Sequence, residues 1–142
     1  MADDKSISTT TQQVAVSALR AQQARMRIIA ENLANANSTS KTPGGDPYRR
    51  QAPVFQATPL SNGGIGVKMA RAVPDKAPFN TTFDPGNPSA DPTGYVKTPN
   101  VDPLIEAMDM RDAQRAYEAN LNVIETARSM DQRTLDLLKP PQ

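Results

Sequence analysis

The sequence contains no cysteine and no histidine. Without cysteine, the chain forms neither disulfide bonds nor thiolate metal sites. Without histidine, it lacks the most common general base and the most common transition-metal ligand of proteins. Thiol chemistry and histidine-dependent catalysis are therefore excluded, and we expect neither a cofactor nor a bound metal.

Neither sign of charge dominates: 16 lysine and arginine residues face 15 acidic residues, for a net charge of +1. A balanced chain has no general electrostatic attraction to nucleic acid or to an anionic membrane. No apolar run approaches the ~20 residues that cross a bilayer. The first residues, MADDKSISTTTQQ, lack the apolar core of a secretory signal peptide. We therefore expect no nucleic-acid partner and no direct membrane insertion.

Glycine and proline are missing from both ends of the chain. All 7 glycines lie within 44–94, and all of the 13 prolines except the last two lie within 43–103. Both residue types interrupt helices. The sequence therefore predicts a mainly α protein with a small β-rich middle, in the α+β class. Long N- and C-terminal helices would pack as a coiled-coil-like pair around a strand-and-turn segment.

This pattern divides the chain into three parts. Residues 14–40 and 102–142 would form one discontinuous helical domain, and residues 41–101 a proline- and glycine-rich β and turn segment. Residues 1–13 are polar and offer little surface to bury. We expect them to form a flexible leader.

Apolar periodicity predicts the first helix from about Val14 to Ala36. Its seam alternates spacings of four and three residues. The seam consists of Ala15, Leu19, Gln22, Met26, Ile29, Leu33 and Ala36. The helix runs into Asn32, Asn35 and Asn37; asparagine tolerates the left-handed conformation and bonds nearby backbone. Capping of the helix end and contact with another subunit both remain possible roles for these residues.

The second helix is predicted from about Asp102 to Leu138, with Pro103 in its first turn. It carries two apolar stripes. One comprises Met110, Ala113, Tyr117, Leu121, Ile124, Ala127 and Leu138, and the other Ile105, Met108, Ala116, Ala119, Val123, Met130 and Leu137. A helix on the surface of a protein needs only one stripe, so two stripes indicate packing on more than one side.

Two helices alone bury too little apolar surface for high stability. Periodicity leaves two solutions open. Either the middle segment covers the helices within a small α+β domain, or the protein completes its core by assembling with copies or relatives.

The middle segment has the pattern of short strands and turns. Residues 48–55 and 65–73 alternate between polar and apolar side chains, and Asn62-Gly63-Gly64 can supply a tight turn between them. The stretch NGGIGV resembles half of a phosphate-binding loop, but the complete glycine pattern is absent. A hairpin turn is therefore the preferred interpretation. No catalytic, cofactor-binding or metal-binding residues are predicted.

The stretch SALRAQQARMRIIAENLANANST at 17–39 resembles the N-terminal signature of bacterial flagellar rod and hook proteins. Four further segments are similar, in the same order, to a proximal-rod member of the flagellar basal-body rod family. They are PYRRQAPVF at 47–55, GVKM at 66–69, DPGNPSADPTGYVKTPNVD at 84–102 and RAYEANLNVIETARSMDQRTLDLL at 115–138. The resemblance covers nearly the whole chain after about residue 14.

The resemblance implies a structural subunit of the proximal rod of the flagellar basal body and no enzyme. Such proteins pass through the flagellar type III export apparatus without a cleaved signal peptide. They then stack helically into the rod that spans the periplasm and transmits torque. The implied partners are other copies, neighbouring proximal-rod proteins, the distal-rod protein, the adaptor between the rod and the membrane ring, and the export apparatus itself. The alternative is a soluble helical adaptor or export chaperone that binds a single partner.

Neighbouring subunits in such a rod would cover the second stripe, and one apolar face can serve both folding and assembly. The candidate helix-packing and subunit-interface residues are Leu19, Met26, Ile29, Leu33, Asn35, Met108, Tyr117, Leu121, Ile124, Met130 and Leu138.

Overall fold

The computed structural model describes residues 2–140, with side chains from residue 7 onward. Along the chain, one long helix precedes a β region and a second long helix follows it. The elements are α1 (Ala2–Ala34), β1 (Gln51–Pro59), β2 (Ile65–Pro74), β3 (Asn80–Phe83), β4 (Tyr95–Thr98) and α2 (Pro103–Leu137). β1 and β2 form an antiparallel hairpin, and β3 and β4 form a second two-stranded antiparallel sheet. The predicted mainly α architecture with a small β-rich middle is confirmed.

The start of α1 differs from the prediction. The helix begins at Ala2, well before Val14, and so includes the segment expected to be a flexible leader. On this part of α1, Ser8 Oγ and Gln12 Nε2 donate hydrogen bonds of 2.7 and 3.0 Å to Asp131 Oδ2 of α2. Apolar periodicity does not predict these turns, because their contacts with α2 are made by polar side chains and not by an apolar seam.

The end of α1 also corrects an expectation. Among the described residues no side-chain-bearing residue has a positive φ, so no asparagine adopts the left-handed conformation. Asn35 instead donates from Nδ2 to the carbonyl oxygen of Glu31 at 2.8 Å, and its own N–H bonds the same carbonyl at 3.1 Å. The Glu31 carbonyl thus keeps its regular helical hydrogen bond and accepts a second one from the Asn35 side chain.

α2 begins where the sequence predicts. The side chain of Asp102 accepts hydrogen bonds from the backbone N–H groups of Leu104 and Ile105 at 2.9 and 3.3 Å. Pro103 occupies the first helical turn, where its missing N–H costs nothing.

α1 and α2 pack as an antiparallel pair, since Asn32 lies next to Glu106 at one end and Ser8 next to Asp131 at the other. The apolar core is centred on α1, which contacts both α2 and the hairpin. The most buried apolar residues of the two helices are Ala15, Ala21, Ile28 and Ile29 on α1 and Ala113, Ile124 and Ala127 on α2. The alanines allow close approach of the two backbones, and each residue of the predicted α1 seam is buried or half-buried.

The β1–β2 hairpin covers another side of α1. Ser17 Oγ accepts a hydrogen bond of 3.1 Å from Val67 N–H, and a Cβ at Gly66 would lie only 2.6 Å from that oxygen. Leu60 N–H bonds Gly64 O at 2.8 Å across the turn, and Gly63 has a φ of 85°. The predicted hairpin turn is thus confirmed over a phosphate-binding loop.

The two helices therefore differ in how many elements they pack against. α1 contacts α2 and both strands of the hairpin, whereas among the described elements α2 packs against α1 alone. β3 and β4 follow the hairpin in the chain, and across their sheet Phe83 and Tyr95 pack edge to face with ring centres 5.2 Å apart. The fold therefore leaves much of the surface of α2 without a partner.

Replacement of Ile124 by alanine should lower the free energy of unfolding by about 2–4 kcal/mol, because it opens a cavity between the helices. Ile124 is 6% exposed, while Leu121 on the same helix is 39% exposed. Leu121→Ala is therefore the matched control and should cost about 1 kcal/mol or less. Urea unfolding followed by circular dichroism measures both. Equal losses for the two variants would contradict this account of the core.

Candidate functional site: a polar junction and an exposed helix face

Two polar side chains are among the most deeply buried in the molecule. Asn32 is 1% exposed and Glu106 is 0% exposed. A buried polar group destabilises a fold unless hydrogen bonds replace its lost hydration. The partners of these two side chains therefore show which parts of the chain must be held together.

Asn32 joins the end of α1 to the start of β1. Its Nδ2 donates to Gln51 O at 2.9 Å, and its Oδ1 accepts from Gln51 N–H at 2.9 Å, so one amide engages both backbone groups of that residue. Nδ2 also donates to Glu106 Oε2 at 3.2 Å, and Oδ1 accepts from the Tyr48 hydroxyl at 2.8 Å. These four bonds use the full capacity of an asparagine side chain.

Arg50 compensates the buried charge of Glu106. Its Nε donates to Glu106 Oε1, and its two terminal nitrogens lie 3.4 Å from Asp75 Oδ2 and 3.5 Å from Asp109 Oδ2. Arg50 thus links α2 to the residue that follows β2. We refer to Asn32, Tyr48, Arg50, Asp75 and Glu106 as the polar junction.

The neighbouring Arg49 holds the chain where it leaves the hairpin. Its Nη1 donates to the carbonyl oxygens of Asp75 and Ala77 at 2.8 and 2.9 Å. The guanidinium carbon also lies 4.1 Å from the centre of the Phe79 ring, a favourable cation–π distance. Asn100 donates to the same two carbonyl oxygens and accepts from Arg50 N–H. The Arg49-Arg50 pair therefore has a structural role.

The junction perturbs the ionisation of two members. Burial alone would lower the pKa of Arg50, but the hydrogen bond and charge of Glu106, together with Asp75 and Asp109, raise it above its ordinary value. The pKa of Tyr48 is raised by burial first, and then by the negative charges of Glu31 and Glu106. At neutral pH Arg50 is therefore a cation and Tyr48 a hydrogen-bond donor, as the geometry requires.

The polar junction has a structural role, since it connects three segments of the chain. Its polar groups are directed at one another and at backbone atoms. In residues 7–140 no group of three or more acidic, histidine or cysteine side chains is arranged to hold a metal ion. Within the same residues no helix is both long and apolar enough to cross a membrane.

α2 presents the second feature, an apolar face that its own chain leaves uncovered. We call this face the outer stripe. It consists of Ile105 (53% exposed), Met108 (59%), Val123 (43%), Met130 (63%) and Leu137 (86%). The other predicted stripe supplies the buried Ala113, Ile124 and Ala127. Apolar faces of this length on a small protein mark interaction sites.

The candidate interface residues fall into two groups. Buried or half-buried are Leu19, Met26, Ile29, Leu33, Asn35, Tyr117 and Ile124, and exposed are Met108, Leu121, Met130 and Leu138. Their roles in contacts between subunits stay predictions. Sequence reasoning missed Tyr48, Arg50 and Glu106 altogether. For Asn32 it considered capping of the helix end or contact with another subunit, although the position four residues after Ile28 indicates a polar group on a buried face.

Similarity to known proteins agrees with this architecture. The family described as "Flagella basal body rod protein" matches residues 13–40, and the family "Flagellar basal body rod FlgEFG protein C-terminal" matches residues 93–137. These two segments contain most of α1 and α2 and therefore both Asn32 and Glu106.

Full-length relatives give the same result. Flagellar basal-body rod protein FlgC of Agrobacterium fabrum is 48% identical over 91% of this chain and 94% of that protein. The Salmonella typhimurium protein of that name is 46% identical over 87% of this chain and 92% of its own, and that of Bacillus subtilis is 37% identical over 89% and 95%. Fold and similarity together define a structural subunit of the bacterial flagellar rod. The chain belongs to the flagellar basal-body rod protein FlgC family, as the sequence motifs predict.

Glu106→Gln should destabilise the protein by about 1.5–3 kcal/mol, because it removes the buried charge that Arg50 binds and leaves only Asp75 and Asp109 as its acidic partners. Glu118→Gln makes the same chemical change at an exposed position of α2 and should alter stability by no more than about 0.5 kcal/mol. In a double-mutant cycle, Arg50→Gln should cost much less in the Glu106→Gln background. Urea unfolding that gives equal stabilities for Glu106→Gln and Glu118→Gln would refute the junction.

Stability should also fall in alkaline solution through Tyr48. Its pKa is raised in the folded protein, so its contribution is fully present below the unfolded-state pKa of about 10 and is lost as pH rises through the folded-state pKa. Urea midpoints measured at increasing alkaline pH should therefore fall more steeply for the wild-type protein than for Tyr48→Phe. Parallel curves would show that Tyr48 is not linked to folding.

Proposed function

We propose that the chain is a subunit of the proximal rod, which polymerises helically with other rod proteins and transmits torque across the periplasm. One observation carries the proposal beyond family membership. α2 holds an apolar stripe along its length that no other described part of the chain covers. A rod subunit needs such a face, because every copy must contact neighbours on several sides.

Burial of this stripe can drive assembly. Each large apolar side chain that leaves water contributes about 1.5–3 kcal/mol when fully buried. Five such residues lie on the outer stripe, from Ile105 to Leu137. Because two packed helices have only a small core of their own, covering this face also adds to the stability of each subunit.

The polar junction suits the transmission of force. It connects the C-terminal end of α1, the entry to the hairpin and the N-terminal end of α2 through directional hydrogen bonds and ion pairs. Such bonds resist rotation of one helix relative to the other more specifically than apolar contact does. A load applied to the outer stripe of α2 then reaches α1 and the hairpin through the same group of side chains.

The proposed partners follow from the family. They are other copies of the chain, neighbouring proximal-rod proteins, the distal-rod protein and the adaptor between the rod and the membrane ring. We further propose export through the flagellar type III apparatus without a cleaved signal peptide, with residues 1–13 contributing to export, and no catalytic activity. A soluble adaptor or export chaperone is not favoured, because the relatives are named as rod proteins.

Met108→Asp and Met130→Asp test the outer stripe. Both side chains are exposed, so each variant should retain its folding stability within about 0.5 kcal/mol. In cells, both variants should be exported but absent from purified basal bodies, because an interface does not accommodate an unpaired carboxylate. The cells should then lack external filaments and should not swim.

Gln114→Asp is the control, since it adds the same charge to an exposed polar position of α2. It should enter the rod normally. Ile124→Asp should fail differently, losing folding stability as well as assembly, because Ile124 is buried against α1. Intact rods and normal swimming in cells that carry only Met108→Asp or Met130→Asp would overturn the proposed interface.

A further inference from the structure

The tip of the β1–β2 hairpin carries an asparagine followed by a glycine, Asn62-Gly63. Gly63 has a φ of 85°, and nothing lies within 4 Å of the place a Cβ would occupy. The turn is therefore open on this side. Since glycine has no side chain to shield its own nitrogen, that nitrogen is the least hindered backbone nucleophile that can follow an asparagine.

The side-chain amide of Asn62 is held by one of its two ends. Oδ1 accepts a long hydrogen bond of 3.4 Å from Gly64 N–H. Nδ2 is buried and has no hydrogen-bond partner among the described residues. This contrasts with Asn32 and Asn100, whose amide nitrogens each donate two hydrogen bonds. A reaction at Cγ of Asn62 would have to release Nδ2. No hydrogen bond within the described residues holds this nitrogen in place.

We propose that Asn62 is a site of spontaneous deamidation. The nitrogen of Gly63 attacks Cγ of Asn62 and loses its proton to solvent, forming the new N–Cγ bond of a five-membered succinimide. The Cγ–Nδ2 bond breaks, and Nδ2 takes up a proton and leaves as ammonia. Water then opens the ring at one of its two carbonyl carbons, which yields aspartate or isoaspartate. Water is the only co-reactant.

One contact in the turn controls the rate of this reaction. Gly63 N–H donates a hydrogen bond of 3.1 Å to Leu60 O, and this bond must open before the nitrogen can attack. A single exposed turn opens locally far more readily than a helix or a buried strand. The reaction therefore needs only local motion of the hairpin tip.

The product should loosen the hairpin from α1. A Cβ at Gly64 would lie 2.8 Å from Thr10 Cγ2 and 3.2 Å from Val14 Cγ2, with Asn62 Oδ1 3.6 Å away. Deamidation puts a carboxylate near this apolar contact, and isoaspartate also lengthens the main chain of a tight turn. Both changes weaken the attachment of the hairpin tip to α1. Further along β2, the hydrogen bond from Val67 N–H to Ser17 Oγ belongs to the same attachment.

The full-length protein, incubated at neutral pH and physiological temperature, tests the site by peptide mapping over time. The peptide with Asn62 should gain the mass of an amide-to-acid conversion several-fold faster than those with Asn32, Asn37 or Asn100. Protein isoaspartyl methyltransferase should label the same peptide. Asn62→Gln should abolish both signals, and Asn62→Asp should raise hydrogen exchange at Val67 several-fold relative to Asn62→Gln.

Asn37 is the internal comparison, because it is exposed and is followed by the small residue Ser38. Conversion of Asn37 as fast as Asn62 would show that exposure alone decides, and would overturn the assignment of a specific site. An Asn62 that stays intact while unfolded chain deamidates would show that the Leu60 bond protects the turn. That result would also overturn the proposal. Unchanged exchange at Val67 in Asn62→Asp would refute the loosening of the hairpin.

Discussion

The fold depends on a hydrogen bond between two buried polar side chains, Asn32 Nδ2 and Glu106 Oε2, on residues 74 positions apart in the chain. Neither group would be tolerated there alone, because each needs partners that replace water. Gln51 and Tyr48 are the other hydrogen-bond partners of Asn32, and Arg50 is the other partner of Glu106. Satisfying these two residues therefore brings α1, the entry to the hairpin and α2 together in one arrangement.

The modest apolar core explains why such a junction matters. The buried apolar residues of α1 and α2 are alanines and isoleucines, which permit close approach of the helices but provide little that distinguishes one helix register from another. Directional polar contacts provide this distinction at both ends of the pair. The polar junction acts at one end, and the bonds from Ser8 and Gln12 to Asp131 act at the other.

The hairpin determines which helix is free to meet other molecules. Because it packs on α1, through contacts such as Val67 with Ser17, α1 is covered on two sides and α2 on one. The outer stripe of α2 is therefore left exposed, in an orientation that the polar junction holds relative to the rest of the subunit. A subunit of a rod needs both properties: a fixed arrangement of its helices and an exposed apolar face for contacts with neighbouring subunits.

The sequence by itself determined the division into helical ends and a β-rich middle, because glycine and proline act locally on the backbone. It also determined the start of α2 at Asp102-Pro103, the turn at Asn62-Gly63, the two stripes and the family. Only the tertiary structure decided which stripe is buried, that α1 extends back to Ala2, and that Asn32 joins three segments. Periodicity reports spacings of three and four residues along one helix, whereas these outcomes depend on polar groups far apart in the chain. Such groups leave no periodic trace, so their pairing emerges only when the helices and the hairpin pack together.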